Sequence, residues 1–349
     1  MSSVETRPGT RSIVVTVAAV VEETADARSL VFEVPPECRD RFAYRPGQFL
    51  TLRIPSDRTG SVARCYSLAS SPHTGEAPKV TVKRTAGGYG SNWVCDHVAV
   101  GDTIEVLPPS GLFTPPDLDE DLLLFAAGSG ITPVMSILKS ALGGGRAAVT
   151  LVYANRDENS VIFAEELREL TAAHADRLTV IHQLESVQGL PTPASLAALA
   201  RPYRPRRAFL CGPTPFMDAV RAGLDKAGMP ADHVHAEVFT SLSGDPFEEI
   251  VVPEGDDAAD AATAVVELDG ETHELVWPRS STLVDVMLAN GLDAPYSCRE
   301  GECGSCACTV TDGEVEMAHQ GMLDADDIAA GYVLGCQARP VSDAVSIEF

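Results

Sequence analysis

Basic side chains are what this chain most conspicuously lacks. Its 349 residues carry 26 Lys and Arg against 50 Asp and Glu, a formal net charge of −24. Nucleic acid demands a basic face, so that class of partner is excluded. The deficit is also uneven. Residues 264–349 hold 3 basic side chains against 16 acidic ones, and residues 242–263 hold 7 acids and no base. Solubility alone accounts for a negative total but not for its concentration in the last third, which suits docking to a basic patch on another protein. Long apolar runs are missing too. Leu122–Ala127 is the longest, far short of the ~20 residues that cross a bilayer, so no membrane segment is expected. Met1–Arg7 has neither the basic start nor the apolar core of a secretion signal. With that reading, nine cysteines fit a reducing cytoplasm. No internal repeat is visible, and the length exceeds one comfortable core, so two or three domains are expected.

Four of the cysteines are patterned. Cys298, Cys303, Cys306 and Cys336 follow C-x4-C-x2-C with a distant fourth member, the ligand run of a plant-type [2Fe–2S] cluster. Gly301 and Gly304 supply the backbone freedom needed to wrap a metal core. A tetrahedral zinc site usually shows two C-x2-C pairs, and here the fourth cysteine is solitary. Cys308 reads as a small apolar core residue, and Cys38, Cys65 and Cys95 as ordinary thiols. The cluster implies handling of single electrons.

Three grammars divide the rest. After a short tail (1–10), residues 11–116 hold short β-branched runs broken by Pro and Gly: 13–21, 30–34, 49–54, 80–84 and 103–107. This predicts an antiparallel barrel. Residues 117–241 alternate strands (122–126, 149–154, 178–184, 208–211, 234–238) with helices (132–142, 163–173, 215–227), the βαβ layout of a nucleotide-binding sheet. Residues 242–262 read as a flexible acidic linker. Residues 263–349 open with a hairpin at Asp269-Gly270 and a helix capped by Ser281 or Thr282, a small α+β domain around the cysteine loop.

Several motifs carry chemistry. Arg64-Cys65-Tyr66-Ser67, expected at the start of a strand, offers a forked cation, a flat ring and a hydroxyl. Gly88, Gly90 and Ser91 precede a short helix whose N–H groups would cradle an anion, and Lys83 lies on a basic strand between the two. Gly128-Ser129-Gly130-Ile131-Thr132-Pro133 follows a strand and opens a helix, as a dinucleotide loop does; the Gly-Lys-Ser/Thr ending of a phosphate-transfer loop is absent. Cys211-Gly212-Pro213 ends a later strand, where open α/β sheets bind ligands. Arg156 offers a partner to a 2′-phosphate and Asp157 to a 2′-hydroxyl, leaving NADH and NADPH both open. Glu165-Glu166 reads as a solvated helix face, and His233 and His235 as strand residues without further ligands.

R-x-Y-S, G-G-x-x-S, G-S-G-I-T-P, Y-x-N-R, C-G-P and E-x-F occur here in that order. The chain resembles the ferredoxin–NADP reductase family fused to a C-terminal plant-type ferredoxin, over nearly its whole length. The resemblance implies an FAD-binding barrel, an NAD-binding Rossmann-like sheet and a β-grasp ferredoxin. It implies that Arg64, Tyr66, Ser67, Lys83, Gly88, Gly90 and Ser91 hold FAD, and that Gly128, Gly130, Thr132, Arg156, Cys211 and Gly212 line the nicotinamide nucleotide's path. Ser67, Thr132, Cys211 and Glu237 would surround the reacting atoms, with Phe239 against the flavin. The implied activity is hydride transfer from NADH to FAD and single-electron delivery through the cluster to a partner oxygenase of the Rieske non-haem iron kind. Among such reductases the likeness is to those serving steroid hydroxylases, then to those serving an aromatic acyl-CoA epoxidase. A non-catalytic flavin and iron–sulfur redox sensor is the rival from another class.

Overall fold

Buried and more exposed side chains alternate over residues 13–18 of the first strand, Ile13–Thr24, as a sheet with one face inward requires. The computed structural model describes residues 11–248, 260–323 and 325–349; the tail expected at 1–10 lies outside them. Six strands form the first domain: β1 (Ile13–Thr24), β2 (Ala27–Glu33), β3 (Phe49–Ser56), β4 (Gly60–Ser67), β5 (Lys79–Lys83) and β6 (Thr103–Ser110). They pair antiparallel in the order β4-β3-β6-β1-β2-β5, and a bridge from Leu68 to Val80 draws the two edges together into a barrel. Val15, Leu30, Leu52, Val80 and Val106 fill its interior, where α1 (Tyr89–His97) adds Val94 and Cys95. Arg64-Cys65-Tyr66-Ser67 closes β4 rather than opening a strand. The first half of β4, Gly60-Ser61-Val62-Ala63, has no apolar alternation to announce it.

From Leu122 the strands lie parallel: β7 (Leu122–Ala127), β8 (Val149–Asn155), β9 (Leu178–Leu184), β10 (Arg207–Cys211) and β11 (Val234–Glu237), in the order β11-β10-β7-β8-β9. Every residue of β7 is buried because helices cover both sheet faces. Leu122, Leu124 and Ala126 meet α2 (Ile131–Gly144) and α3 (Ala164–Ala173) on one side. On the other, Leu123 and Phe125 meet α5 (Pro193–Ala200) and α6 (Thr214–Ala227); a one-turn α4 (Glu185–Gln188) precedes them. Helix α5 escapes a periodicity search because it is short and alanine-rich; its signal is the Thr192 cap on Ser195 with Pro193 in the first turn. Glu166 is not on a solvated face as expected. Its carboxylate takes Lys139 and Lys79, both at 2.9 Å, and Lys139 is 5% exposed. Burial alone would raise the Glu166 pKa, but the two ammonium groups outweigh it and lower it. His233 sits in a 3-10 turn ahead of β11, while His235 stacks on Phe209 with centroids 4.7 Å apart.

The last domain holds β12 (Ala262–Leu268), β13 (Glu271–Trp277), α7 (Leu283–Ala289), β14 (Ala307–Asp312), β15 (Val315–Met317), α8 (Ala325–Ala329), β16 (Tyr332–Leu334), β17 (Ala338–Pro340) and β18 (Ala344–Glu348). Its main sheet runs β13-β12-β18-β14-β16, with β12 and β18 parallel and Asp269-Gly270 turning the hairpin. Thr282 caps α7 by accepting from the Asp285 N–H. Leu283, Val286 and Met287 of α7 pack beneath the sheet with Trp277.

This domain is seated on the outer face of the barrel. Phe49, Ala63 and Leu107 belong to its hydrophobic cluster, and Cys65 packs against them. Arg11 pairs with Asp293 at 2.6 Å along the same seam. The expected flexible linker begins as a packed segment. Leu242 and Phe247 are buried in that same cluster, and Arg53 lies over the Phe247 ring at 5.8 Å. Glu300 Oε1 accepts from the Ser243 N–H and hydroxyl, both at 2.8 Å, and Ser61 donates to Asp245. Two apolar side chains in an acidic stretch suffice to anchor it; residues 249–259 lie outside those described. Replacing Phe247 by Ala is expected to cost about 3 kcal/mol of interdomain packing. Faster hydrogen exchange of amides 242–248 and a lowered thermal midpoint would register it; unchanged exchange would show that Phe247 anchors nothing.

Candidate functional site

Strand β4 serves two surfaces. A cleft of about 310 Å³ runs along it from Arg64 and Tyr66, past Lys83, to Gly88 and to Gly90 and Ser91, which lie in the first turn of α1 rather than ahead of the helix as expected. Burial pushes the Tyr66 phenol up, so it stays a neutral ring. Gly88 precedes the first turn of α1, where free N–H groups face the cleft end, and Ser91 Oγ is already used by the Thr85 N–H at 3.0 Å. Thr132, in the first turn of α2, and Phe239, exposed just past β11, reach the same cleft.

A second cleft of about 650 Å³ adjoins it, with Cys65, Ser67 and Phe239 common to both. One end holds Glu237, whose carboxylate accepts from Ser67 Oγ at 3.4 Å. The other end holds Cys298 and Cys303. Glu237 is only half-buried as a residue, yet burial of its carboxyl pushes that group from an ordinary 4.5 up to about 8, with the Ser67 hydrogen bond opposing.

The sheet's switch point lies between β7 and β10, and the loops that leave those strands touch there. A Cβ on Gly130 would come within 2.2 Å of the Cys211 carbonyl oxygen, so only glycine allows the approach. At Gly128 the same imaginary atom meets only the Lys83 ammonium, 3.8 Å away. That is a bare backbone surface facing a cation, the setting a phosphate requires. Arg156, after β8, pairs loosely with Asp26 at 3.7 Å. Cys211 is wholly buried in the sheet core beside Gly212, and burial, then the nearby Glu237, hold its thiol well above the usual range. The structure therefore gathers the β4, α1 and Thr132 residues into one cleft and leaves the Cys211 side chain behind its wall.

The four patterned cysteines converge as two pairs. Cys298 and Cys303 share a hydrogen bond, as do Cys306 and Cys336. Within the first pair, the bond from Cys298 draws the Cys303 thiol down to about 7, against burial. Among the described residues no three ligating side chains meet at a single-ion position. Two thiol pairs match two irons instead, with backbone N–H groups of Glu300 and Cys336 donating to Cys298 and Cys306 sulfurs, each at 3.4 Å. Gly301 and Gly304 adopt φ of 82° and 70°, and Leu112 from the barrel closes over Gly304. Cys65, read from sequence as an ordinary thiol, lies on the face between the clefts and the last domain, and burial pushes it up to about 12. No local motif marks it; only the tertiary seam does.

A flavin-type barrel, a dinucleotide sheet and a paired-thiol loop define a three-domain oxidoreductase that carries FAD, a nicotinamide nucleotide and a [2Fe–2S] cluster. Family models agree: an oxidoreductase FAD-binding domain matches residues 14–114, an oxidoreductase NAD-binding domain 124–222, and a 2Fe-2S iron-sulfur cluster binding domain 266–341. The 3-ketosteroid-9-alpha-monooxygenase ferredoxin reductase component of Rhodococcus rhodochrous is 68% identical over 100% of both chains. Its Mycolicibacterium smegmatis counterpart is 61% identical over 98% of both. One component of the 1,2-phenylacetyl-CoA epoxidase of Escherichia coli is 34% identical over 96% of each chain. Among solved structures, phthalate dioxygenase reductase shares the fold at TM-score 0.54 and 24% identity, covering 97% of this chain and 98% of that one. The chain belongs to the family of 3-ketosteroid-9-alpha-monooxygenase ferredoxin reductase components. It is a reductase that passes electrons to an oxygenase partner.

The raised Glu237 carboxyl has a pH signature. Its folded-state value lies above its unfolded one, so the native protein holds an extra proton between about 4.5 and 8. The stability contribution is complete below that window and is lost as pH rises through it. Glu237→Gln is expected to flatten the fall of the thermal midpoint between pH 5 and 8.5; parallel slopes for the two proteins would remove Glu237 as the cause.

Proposed function

We propose that this protein takes hydride from NADH onto FAD and delivers electrons singly, through its cluster, to the Rieske-type oxygenase of a 3-ketosteroid 9α-hydroxylating system in the cytoplasm. The observation that carries the reading is the pair of joined clefts, which links Ser67 and Glu237 at one end to Cys298 and Cys303 at the other. The identities of 68% and 61% to two reductases of that named system support the steroid acceptor over the epoxidase one. No helix among the described residues is long and apolar enough to cross a membrane.

In this reading the domains are 11–116, 117–241 and 263–349, joined by 242–262. Arg64 and the α1 N-terminus bind the FAD phosphates, with Lys83, Gly88, Gly90 and Ser91 around them. Tyr66 and Phe239 bracket the ring, and Ser67 orients its reactive edge. Gly128, Gly130 and Thr132 hold the nicotinamide nucleotide's phosphates at the switch point, with Cys211 and Gly212 behind the transferring carbon. Arg156 already has a carboxylate partner in Asp26, which favours NADH over a 2′-phosphorylated donor. Glu237, largely protonated near neutrality, presents a neutral hydrogen-bonding group beside Ser67 instead of a charge repelling an incoming reductant. Cys298, Cys303, Cys306 and Cys336 hold the cluster. The flavin supplies the conversion of a two-electron donor into one-electron output. The residues supply proximity and a dry path between the clefts.

Cys336→Ser is expected to abolish the cluster's absorbance while NADH-driven dye reduction through the flavin persists. Loss of flavin as well would break the modular picture. Ser67→Ala is expected to slow flavin reduction at least tenfold in stopped flow with cluster absorbance intact; an unchanged rate would take Ser67 out of the reaction. Reconstitution with the purified oxygenase component tests the acceptor: NADH-dependent 9α-hydroxylation supports the assignment, and its absence alongside turnover with an epoxidase oxygenase overturns it.

A further inference from the structure

The seam between the barrel and the cluster domain is largely apolar, and one polar contact across it is wholly buried. Thr51 of β3 stands directly opposite Cys65 of β4 in the strand register. Its hydroxyl contacts Cys65 Sγ at 3.4 Å and, on its other side, the Ser297 hydroxyl at 2.7 Å. Ser297 immediately precedes the cluster ligand Cys298. Both residues are 0% exposed, and 246 residues separate them in the chain. Its strand neighbours Leu50 and Leu52 belong to the barrel core, so Thr51 faces the other way, toward Ser297. Around the pair lie Phe49, Ala63 and Leu107, none of which fixes orientation. Apolar contacts tolerate sliding, whereas a buried hydroxyl pair is satisfied in one register only. A second polar contact, Ser110 to Ser305, lies on the far side of the same loop and constrains the same pose.

We propose that the Thr51–Ser297 hydroxyl pair is a docking latch, which sets the cluster-binding loop against the flavin-binding strand in the pose from which electrons cross. The inference deepens the proposed function and rests on the placement of FAD along β4. Each crossing takes one electron from reduced FAD and leaves one on the cluster; Thr51 and Ser297 are positioning residues and exchange neither electrons nor protons in it. Undocking leaves both hydroxyls free to find water, so the latch biases a two-state equilibrium without locking it.

The test uses the full-length protein with both cofactors. Thr51→Val keeps the shape of the side chain and removes the hydroxyl from the barrel side, well away from the cysteines. Two readouts are taken: the rate at which the cluster is reduced after the flavin, and hydrogen exchange of the amides at 49–53 and 296–306. The expected result is a slowing of cluster reduction on the order of tenfold together with faster exchange in both segments, at parental flavin content and cluster absorbance. The double variant Thr51→Val with Ser297→Ala, in which no hydroxyl is left unpaired, is expected to recover part of the loss. Either readout of Thr51→Val staying at the parental value overturns the latch, and so does loss of either cofactor from that variant, which would make Thr51 a structural support. Failure of the underlying FAD placement reads differently: Ser67→Ala would then leave hydride transfer unchanged.

Discussion

Two redox groups on separate domains exchange electrons only if their protein shells meet, and here that meeting is built on one strand. Along β4, Arg64 and Tyr66 line the cofactor cleft, while Ala63 and Cys65 at the alternate positions pack into the seam, Cys65 also reaching the cleft wall. The same four-residue run that binds the flavin therefore also forms the floor on which the cluster domain sits. A one-residue register slip of β4 against β3 would exchange the two sets and destroy both surfaces at once. Eight paired positions from Phe49–Ser67 to Ser56–Gly60 hold that register. Most of the chemistry proposed for this chain depends on it.

Charge follows the same division between seam and surface. The last domain carries far more acid than base, yet its seam with the barrel uses little of that charge. Where acid does appear at the seam, it is matched: Asp293 by Arg11 and Arg41, Glu300 by N–H and hydroxyl donors of Ser243 and Gly244. Inside, the tendency is reversed. Glu237 and Cys65 are both pushed toward their neutral forms by burial, so neither adds a negative charge where the two clefts join.

Much of this is legible in the sequence, and the exceptions share one cause. Strand runs in the barrel, the parallel sheet, the Asp269-Gly270 hairpin and the paired cysteines announce themselves through local periodicity or spacing. The features that stay hidden depend on distant residues. Glu166 looks like one more exposed acid on α3 until Lys79 of the barrel and Lys139 of α2 fold against it. Cys65 looks like an ordinary thiol until the cluster domain covers it. Leu242 and Phe247 are two apolar residues in an acidic stretch, and composition averages them away; only the barrel face opposite shows that they are anchors. Local grammar reports elements, and contacts across hundreds of residues lie beyond its reach.

That anchoring also changes how the domain linker has to work. A leash that is free along its whole length lets the domain it holds wander, with an effective concentration set by linker length. Here the opening of the stretch is bound to the barrel and to the cluster loop together, through Asp245 on Ser61 and Glu300 on Ser243. Any excursion of the cluster domain must first break these contacts and expose Phe247. These contacts together hold the docked arrangement. On this geometry the Cys303–Cys306 loop is covered on its barrel side, with Leu112 and Met322 both closing over Gly304 and the Ser110 hydroxyl on Ser305.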